Sequence, residues 1–372
     1  MQYADFIIVG GGIAGACVAY HLAPKAKVIL LEAEAQPGFH ASGRSAATLF
    51  EGYGSPLVRA MTKVSRNFFA RPPGGFASYP VHSPRGALVL AATNEELRSR
   101  QASLDAAGIQ NEVLHWAECE SRVPVLREGR FVGAVFEPNA ADLDVMAMLQ
   151  GYFAAARRAG ATICCDEKVL LGERDGSGWI VHTRARSIRC EAIINCAGAW
   201  ADELAASMGV SGLGLTPKRR AAFTFHPPEG VDSRNWPFVT DCSDTWYFKP
   251  DAGALMASPG NADPVLPHDV RPEEIDIAIG IDAIQTSTTM SIPRPYRTWA
   301  GLRTFAPDED PVVGYDANVQ NFFWCAGQGG YGVQTSPAMG RACSALVLGA
   351  ALPGELQDAG LTAAEMSPSR FN

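Results

Sequence analysis

The alternation of apolar and polar residues is most regular at the start of the chain. Phe6–Val9 is a short apolar run, typical of a strand that is buried on both faces. Apolar residues recur at helical spacing over Ile13–Leu22, and Pro24 ends that helix. A second apolar run, Lys27–Leu31, is followed at once by Glu32. The pattern therefore predicts a strand, a helix and a second strand in that order, closed by an acidic residue.

Three glycines, Gly10, Gly12 and Gly15, form a GxGxxG turn between the first strand and the helix. The first permits a tight turn, the second lets a pyrophosphate approach the backbone, and the third lets helix and strand pack closely. The helix N-terminus adds free N–H groups and positive potential. Glu32, about 20 positions after the first glycine, can accept hydrogen bonds from ribose hydroxyls and disfavours a 2′-phosphate. We therefore predict a dinucleotide site and do not expect NADP in it.

The rest of the chain alternates between helical and strand patterns. Helices are predicted over 55–70, 93–107, 118–122, 145–158 and 273–287, and a last one follows the glycine-rich segment near residue 330. Strands are predicted over 79–92, 131–137, 161–165, 168–171, 179–182, 188–190, 192–196 and 322–326, with several more between 217 and 259. Asp142 or Asp144 is expected to cap the helix at 145. The charged residues of the helix predicted over 93–107, Arg100 among them, are interpreted as a solvated face of that helix.

Composition indicates how many domains the chain can form and which partners and compartment to expect. With 372 residues, 47% of them hydrophobic, the chain is long enough for two domains with packed interiors. The net charge of −8 argues against nucleic acid or an anionic membrane as the main partner. Nine cysteines without a CxxC pair predict a reducing compartment and no metal site. No signal peptide or membrane-spanning run is apparent, so we expect a soluble, cytoplasmic protein, with peripheral attachment to an inner membrane left open.

Three separate glycine-bearing segments are far more specific than any one of them. The first continues into QPGFHASGRSAA, the second is AIINCAGAW, and the third is GQGGYGVQTS. With these segments the chain resembles the D-amino-acid oxidase-like superfamily of FAD enzymes, which includes glycine and sarcosine oxidases. The resemblance is nearest to D-arginine dehydrogenase and its D-amino-acid dehydrogenase relatives, through PKRRAAF, YFKPDAG, SPGNADPV and TWAGLR.

The resemblance implies an α/β fold, α+β overall, in which a Rossmann-like FAD-binding domain is interleaved with an antiparallel-sheet substrate domain. The FAD-binding domain is expected to be discontinuous, comprising 1–48, 140–205 and 300–372. The substrate domain is expected to comprise 49–139 and 206–299. FAD is expected to bind noncovalently, because neither Cys325 nor Cys343 matches the cysteine that tethers the flavin in sarcosine oxidases.

The resemblance also assigns cofactor contacts to all three segments. The residues expected along FAD are Gly10, Gly12, Ala14, Gly15, Glu32, Ala33, Ser42, Gly43, Arg44, Ser45, Ala46, Ala47, Val169, Ala197, Gly198, Trp200, Gly329, Gly330, Tyr331, Gly332, Val333, Gln334 and Thr335. The last helix is expected to direct its N-terminus to the pyrimidine end of the flavin, where negative charge gathers on reduction. His40 is expected to pack on the flavin loop rather than to handle a proton.

Oxidation of an amino acid by flavin needs a clamp for the carboxylate, a neutral amine and a Cα–H directed at flavin N5. The planar fork of arginine suits the clamp. Arg303 is the first choice and Arg220 the second, while Tyr53 and Tyr247 can donate O–H bonds to the same carboxylate. All four match positions that bind substrate in the resembling dehydrogenases. Thr48 stands where those enzymes carry histidine, which leaves a proton-handling role there open.

The substrate side-chain pocket is expected to involve Ala87, Glu51 and Gly330. Ala87 stands where D-arginine dehydrogenases carry a glutamate that pairs with the substrate guanidinium. A buried cation without a partner is costly, whereas buried apolar surface stabilises a complex. The pocket is therefore expected to prefer neutral and hydrophobic side chains, unless Glu51 supplies a carboxylate from another direction.

These features predict FAD-dependent oxidative deamination of D-amino acids by hydride transfer from Cα to flavin N5. The imino acid formed would hydrolyse to a 2-oxo acid. One alternative is a secondary-amine or N-methylamino-acid oxidase, similar to glycine and sarcosine oxidases. Further alternatives are a 2-hydroxyacid dehydrogenase, with His40 as its base, and a non-catalytic FAD-binding protein. The electron acceptor, a quinone or oxygen, stays open.

Overall fold

A computed structural model describes residues 2–371. Its strands are β1 (Gln2–Val9), β2 (Val28–Leu31), β3 (Thr48–Leu49), β4 (His82–Pro84), β5 (Ala87–Ala91), β6 (Glu112–His115), β7 (Gly133–Glu137), β8 (Ala141–Leu143), β9 (Thr162–Cys164), β10 (Val169–Asp175), β11 (Gly178–Thr183), β12 (Ser187–Asn195), β13 (Thr216–Phe225), β14 (Phe238–Asp241), β15 (Tyr247–Asp251), β16 (Ala254–Ser258), β17 (Asp263–Pro264), β18 (Arg297–Phe305), β19 (Val312–Tyr315), β20 (Phe322–Ala326) and β21 (Gln328–Gly329). Its α-helices are α1 (Ile13–Leu22), α2 (Pro56–Ala70), α3 (Asn94–Ala106), α4 (Trp116–Arg122), α5 (Val145–Arg158), α6 (Ala201–Ala206), α7 (Glu274–Ser287), α8 (Gly332–Val347), α9 (Gly354–Asp358) and α10 (Ala363–Met366). Gly198–Trp200 and Pro368–Phe371 are short 3₁₀ helices.

The first sheet has eight strands, with a parallel centre in the order β20, β12, β1, β2 and β9. Side chains of β1 alternate between two cores, as the period of a strand requires. Phe6 and Ile8 pack in the core that includes α1, α5 and α8, whereas Ile7 and Val9 pack in the core on the opposite face. This burial on both faces explains the uninterrupted apolar run at the start of the chain.

The second sheet has ten strands, in which β13 lies between β16 and β18 and most pairs are antiparallel. One face carries Leu88, Phe223 and Phe248 and packs against α7 and its surroundings. The other face carries a smaller apolar cluster that includes Ala87 and Tyr247. The chain segments that connect the two larger sheets form a three-stranded sheet in the order β3, β8 and β4.

The prediction of an α/β fold with a second, largely antiparallel sheet is confirmed. The division into domains stays a prediction, and two elements pack differently from it. Helix α2, assigned to the substrate domain, packs on α8 and contributes Met61 and Phe69 to the core of the parallel sheet. The predicted domain boundary at residue 300 falls within β18, but this strand pairs along its whole length with β13 of the antiparallel sheet.

Two local predictions are corrected by the structure, and the alternative between Asp142 and Asp144 as the cap of α5 is resolved. The segments 188–190 and 192–196 form one strand, β12, because it pairs first with β11 and then with β20 along the same edge. Asp144 caps α5 by accepting the Ala147 N–H at 2.8 Å, whereas Asp142 lies in β8 and pairs with Lys249 at 2.7 Å. The prediction that Arg100 is solvated is wrong, because its guanidinium turns inward and pairs with a buried carboxylate.

Candidate active site

A cavity of about 670 Å³ lies between the parallel and the antiparallel sheet. The carboxyl ends of β1, β2, β12 and β20 line one side of it, and β13, β15 and β18 line the other. Ligands of open α/β sheets bind beyond the carboxyl ends of the strands. The volume is within the range of small-molecule sites, roughly 300–1,000 Å³.

The glycine turn after β1 forms part of the wall of this cavity. Gly10 has φ +110°, and a Cβ there would overlap the carbonyl oxygen of Cys196. A Cβ on Gly15 would overlap the carbonyl oxygen of Gly10, so α1 packs directly on the turn. Gly12 and Ala14 line the cavity at the N-terminus of α1. A helix N-terminus with a bare backbone turn is suited to a pyrophosphate.

The carboxylate of Glu32 stands at the end of β2, buried and facing the same cavity. Its oxygens accept the N–H of Gly11 at 2.5 Å and the N–H of Glu34 at 2.8 Å. Each carboxylate oxygen has a second lone pair that remains available for a hydroxyl. Ser42 accepts the first N–H of α1, from Ile13, at 2.9 Å, and thereby ties the following loop to the turn.

The loop after β2 makes contacts beside the cavity with both sides of the molecule. Arg44 pairs with Asp269 at 2.5 Å and donates to the carbonyl of Val270 at 3.1 Å. His40 pairs with Glu34 at 2.9 Å, and its ring lies 4.5 Å from that of Trp200. His40 is thus engaged with a carboxylate and an indole at this edge, in agreement with a packing role.

The glycine-rich segment between β20 and α8 faces the arginines predicted to bind substrate. A Cβ on Gly330 would lie 2.9 Å from Nη1 and 3.0 Å from Cζ of Arg303, so the guanidinium occupies the space that a side chain would need. Gln334 and Thr335 do not line the cavity. Gln334 accepts the Phe50 N–H at 3.1 Å, and Thr335 donates to the Tyr331 carbonyl at 2.9 Å.

Two guanidinium groups face the cavity from neighbouring strands. Arg220 pairs in register with Gly301, and Arg303 lies two positions farther along β18, so both side chains are on the same face. Arg303 Nη1 donates to the Tyr53 hydroxyl at 3.2 Å, and Arg220 Nε is buried without a hydrogen-bond partner. Burial and the charge of Arg303 lower the pKa of Arg220, although an arginine stays protonated.

The neighbouring Arg219 shows how different a structural arginine looks. It is on the opposite face of β13, where it lies 2.9 Å from Asp276 and 3.5 Å from Asp263. Among residues 2–371 no carboxylate forms an ion pair with Arg220 or Arg303. Two partly buried like charges facing open space without an acid are arranged for an anionic ligand.

An arc of aromatic rings surrounds the two guanidinium groups. Tyr53 stacks on Phe50 with centroids 6.0 Å apart, and Phe238 lies 5.0 Å from Tyr247. Tyr331 meets Tyr53 edge to face at 5.0 Å. Of these rings Tyr247 lines the arginine end of the cavity, and Phe50, Tyr53 and Phe238 belong with it to an apolar cluster that lies behind the lining. A small ligand with one anionic group and an apolar remainder fits this combination.

The structure brings most of the predicted site residues to one cavity. Those that line it are Gly10, Gly12, Ala14, Glu32, Ala33, Ser42, Arg44, Ser45, Ala46, Val169, Ala197, Gly198, Trp200, Arg220, Tyr247, Arg303, Gly329, Gly330, Gly332 and Val333. Those that lie behind or beside its lining are Gly15, Gly43, Ala47, Thr48, Glu51, Tyr53, Ala87, Tyr331, Gln334 and Thr335. Lining residues that carried no recognisable sequence signal include Glu167, Lys168, His268 and Asp269.

Three of the predicted substrate residues are engaged elsewhere. Thr48 pairs through β3 with β8, and its hydroxyl is 3.5 Å from the Ala46 carbonyl. Glu51 is buried beside Arg66 at 3.2 Å. Ala87 is fully buried in the apolar cluster behind the arc. The expectation that Glu51 supplies a carboxylate to the substrate pocket is therefore not supported by its position.

A comparison with protein families decides what this cavity belongs to. The family model described as FAD dependent oxidoreductase, DAO, matches residues 5–346. The chain belongs to the DAO family. FAD is accordingly its cofactor, and the bare glycine turn, the Glu32 carboxylate and the N-terminus of α1 fit the adenosine and pyrophosphate of FAD.

Curated relatives of this DAO protein are distant but extend along the whole chain. It is 25% identical over 371 residues to the uncharacterized oxidoreductase YurR of Bacillus subtilis, covering 93% of this chain and 95% of the relative. It is 24% identical over 397 residues to the mitochondrial dimethylglycine dehydrogenase of Mus musculus, covering 99% of this chain and 44% of the relative. The chain therefore spans less than half of that dehydrogenase.

Solved structures show the same fold. The glycine oxidase from Geobacillus kaustophilus superposes with a TM-score of 0.83 at 23% identity, covering 94% of this chain and 96% of the oxidase. The L-proline dehydrogenase from P. horikoshii superposes with a TM-score of 0.84 at 20% identity, covering 100% of this chain and 98% of that chain. These relatives are named for dimethylglycine, glycine and L-proline, and none of the three names is that of a D-arginine dehydrogenase.

The described part of the chain adds two further findings. No helix within residues 2–371 combines the length and the apolar character needed to cross a bilayer. Over the same residues no group of three or more potential metal-ligating side chains comes together.

Proposed function

We propose that the protein is an FAD-dependent oxidase or dehydrogenase of small, neutral amino acids whose nitrogen carries an alkyl substituent, such as sarcosine or proline. The observation that carries this proposal is the pair of partly buried guanidinium groups, Arg220 and Arg303, which face the cavity without an acid partner among the described residues. A substrate carboxylate satisfies both charges and accepts the hydroxyl bonds of the adjoining tyrosines.

The remainder of the substrate is expected to be uncharged. Glu137 is the acid nearest in register to Ala87, and it is already 2.7 Å from Arg100. Glu51 is held beside Arg66. The arc of aromatic rings and the surrounding apolar cluster would leave a cationic side chain without a counter-charge, which costs several kcal/mol.

The nature of the relatives favours an alkylated nitrogen. Dimethylglycine dehydrogenase and L-proline dehydrogenase are named for amino acids with substituted nitrogens, and glycine oxidase is named for the smallest amino acid. These names describe the relatives, and they support the alternative of a secondary-amine or N-methylamino-acid oxidase over D-amino-acid deamination. An alkyl group on nitrogen adds apolar surface, which an aromatic wall accommodates.

The chain's own residues do most of the work of orientation. Arg303 and Arg220 hold the carboxylate, with the hydroxyls of Tyr53 and Tyr247 as additional donors, and this fixes the carbon that bears the amine. The amine reacts in its neutral form, after its proton has passed to water. Bound FAD supplies acceptance of a hydride from that carbon. The imine released is then hydrolysed by water.

The second candidate, oxidation of neutral D-amino acids, is favoured by a specific observation. The residues that match substrate positions in D-amino-acid dehydrogenases are brought together, with Tyr53 bonded to Arg303 and both arginines on one face. The apolar cluster that contains Ala87 offers no charge to a substrate side chain, which suits an uncharged one. Both candidates share the carboxylate clamp and differ in what is attached to nitrogen and to Cα.

A panel of substrates mixed anaerobically with the purified holoprotein separates these candidates. Bleaching of the flavin absorbance is followed for sarcosine, N,N-dimethylglycine, L- and D-proline, glycine, D-alanine, D-methionine, D-arginine and lactate. We expect the N-alkylated amino acids to reduce the flavin fastest and D-arginine to be among the slowest. Preference for primary D-amino acids would establish the second candidate instead, and preference for lactate would overturn both. Reoxidation with oxygen and with a soluble quinone then tests which acceptor serves.

A further inference from the structure

The loop of residues 50–55, between β3 and α2, carries Tyr53, and its middle residue is held by an ion pair between the partly exposed Arg100 and the buried Glu137. The Gly52 N–H donates to Glu137 Oε2 at 3.0 Å, and Arg100 Nη1 donates to the Gly52 carbonyl at 3.1 Å. Arg100 Nη2 and Glu137 Oε1 are 2.7 Å apart. The Gly52 carbonyl belongs to the peptide bond that leads into Tyr53. One ion pair therefore binds both backbone groups of the residue that precedes Tyr53.

The contact between this pair and the loop leaves no space for a side chain. A Cβ on Gly52 would lie 2.6 Å from Leu104 Cδ2 and 2.7 Å from Arg100 Nη2, and it would overlap Glu137 Oε1. Glu137 is 2% exposed, and its burial raises its pKa although Arg100 and the Gly52 N–H oppose the shift. A buried ion pair is seldom the most stable filling of such a space, because desolvation offsets much of the attraction.

The start of the loop is fixed independently of this ion pair. The Phe50 N–H donates to Gln334 Oε1 at 3.1 Å, so α8 holds the start of the loop. The Tyr53 N–H donates to the Phe50 carbonyl at 3.2 Å, which closes the loop on itself. What Arg100 and Glu137 add is therefore the orientation of the Gly52 peptide, on which the direction of the Tyr53 side chain depends.

We propose that Arg100 and Glu137 are positioning residues, which hold the Tyr53 hydroxyl against Arg303 and thereby against the carboxylate of the substrate. The proposal rests on the proposed function, since it gives Tyr53 and Arg303 a carboxylate to bind. Both residues act through the loop and neither lines the cavity. Without the ion pair, the Tyr53 hydroxyl would no longer be held against Arg303.

The test uses the holoprotein and a carboxylate that cannot be oxidised, trimethylacetate, titrated against the visible absorbance of the bound flavin. The pair is replaced in the double variant Arg100→Met/Glu137→Met, which avoids leaving one charge buried and alone. The same replacement is made in a chain that already carries Tyr53→Phe. Asp276→Asn is the matched control, because Asp276 is also a buried acid paired with an arginine, 2.9 Å from Arg219, but on the opposite face of β13.

We expect the double variant to weaken trimethylacetate binding about tenfold, the loss of a charge-assisted hydrogen bond, and to raise KM more than it lowers kcat. In the chain with Tyr53→Phe the same replacement should have less than about twofold effect, because the hydroxyl to be positioned is absent. Glu137→Gln, which keeps an acceptor for the Gly52 N–H, should retain most of the binding. Asp276→Asn should bind like the wild type.

Equal losses with and without the Tyr53 hydroxyl would show that the pair is merely structural and would overturn the proposal. If the double variant fails to fold, Arg100→Gln at this partly exposed position is used in the same cycle with the same criteria. Trimethylacetate binding that survives Arg303→Ala would overturn the proposed function and the positioning proposal with it. Binding that is lost in Arg303→Ala but intact without the ion pair would overturn the positioning proposal alone.

Discussion

Arg303→Ala is the substitution whose consequences follow most directly from the geometry. The Arg303 guanidinium makes one hydrogen bond to the protein, to the Tyr53 hydroxyl at 3.2 Å, and no carboxylate of residues 2–371 pairs with it. Its remaining donors are therefore available to a ligand. A hydrogen bond to a charged group contributes about 1.5–3 kcal/mol. Since 1.4 kcal/mol corresponds to a factor of ten, kcat/KM should fall roughly ten- to hundredfold.

The same geometry predicts that the substitution leaves the fold intact. Arg220 and Arg303 are like charges on neighbouring strands, and the charge of Arg303 contributes to lowering the pKa of Arg220. Removal of one charge relieves this repulsion in the free protein, so Tm should stay the same or rise. A structural arginine such as Arg219, with acids at 2.9 and 3.5 Å, would show the opposite behaviour.

The assay is steady-state oxidation of the best substrate of the panel, together with FAD content and Tm. Arg297→Ala serves as the control, because Arg297 is an exposed residue of the same strand, β18. We expect its kcat/KM to stay within about twofold of the wild type, as is usual for surface substitutions. A folded, FAD-loaded Arg303→Ala protein whose kcat/KM falls less than about threefold would refute the assignment of Arg303 as the clamp.

Three further predictions follow from individual contacts. Gly330→Ala should raise KM for carboxylate substrates about tenfold while FAD is retained, because the new methyl would lie 2.9 Å from Arg303 Nη1. An unchanged KM would show that the guanidinium can move away freely. FAD should be released intact on acid precipitation, since neither Cys325 nor Cys343 matches the cysteine that tethers the flavin in sarcosine oxidases, and flavin remaining in the protein pellet would reveal a covalent bond instead. Burial lowers the pKa of His21 to about 3 from 6.5, so between these pH values the folded protein binds fewer protons at His21 than the unfolded chain does. The free energy of unfolding should therefore fall as pH drops below 6.5, by at most about 1.4 kcal/mol per pH unit. Tm measured against pH should decline less steeply for His21→Gln, and parallel curves would disprove this origin.

The features predicted best from the sequence are those that depend on neighbours along the chain. The turn at Gly10 follows from a conformation at φ +110° that favours glycine, and the capping of α5 by Asp144 follows from a spacing of three residues. The two arginines proposed to bind the substrate carboxylate were identified through the segments PKRRAAF and TWAGLR. Strand register then accounts for their meeting on one face.

The features missed are contacts between distant segments. Arg100 was assigned to a solvated face because the charges beside it on α3 are solvated, yet its partner Glu137 is 37 residues away and no local pattern marks the pair. Gln334 was expected beside FAD, but it binds the backbone of Phe50, 284 residues earlier in the chain. Contacts of this kind arise only when separate elements pack together, so a single sequence does not specify them.

The central claim is that the protein oxidises an amine which it recognises through an attached carboxylate. Sarcosine and dimethylamine differ by that carboxylate, so anaerobic mixing of each with the holoprotein is the most direct test. The account predicts that sarcosine bleaches the flavin and that dimethylamine at the same concentration does not, because Arg220 and Arg303 have nothing to bind in the second case. Equal reduction of the flavin by the two amines would contradict the claim.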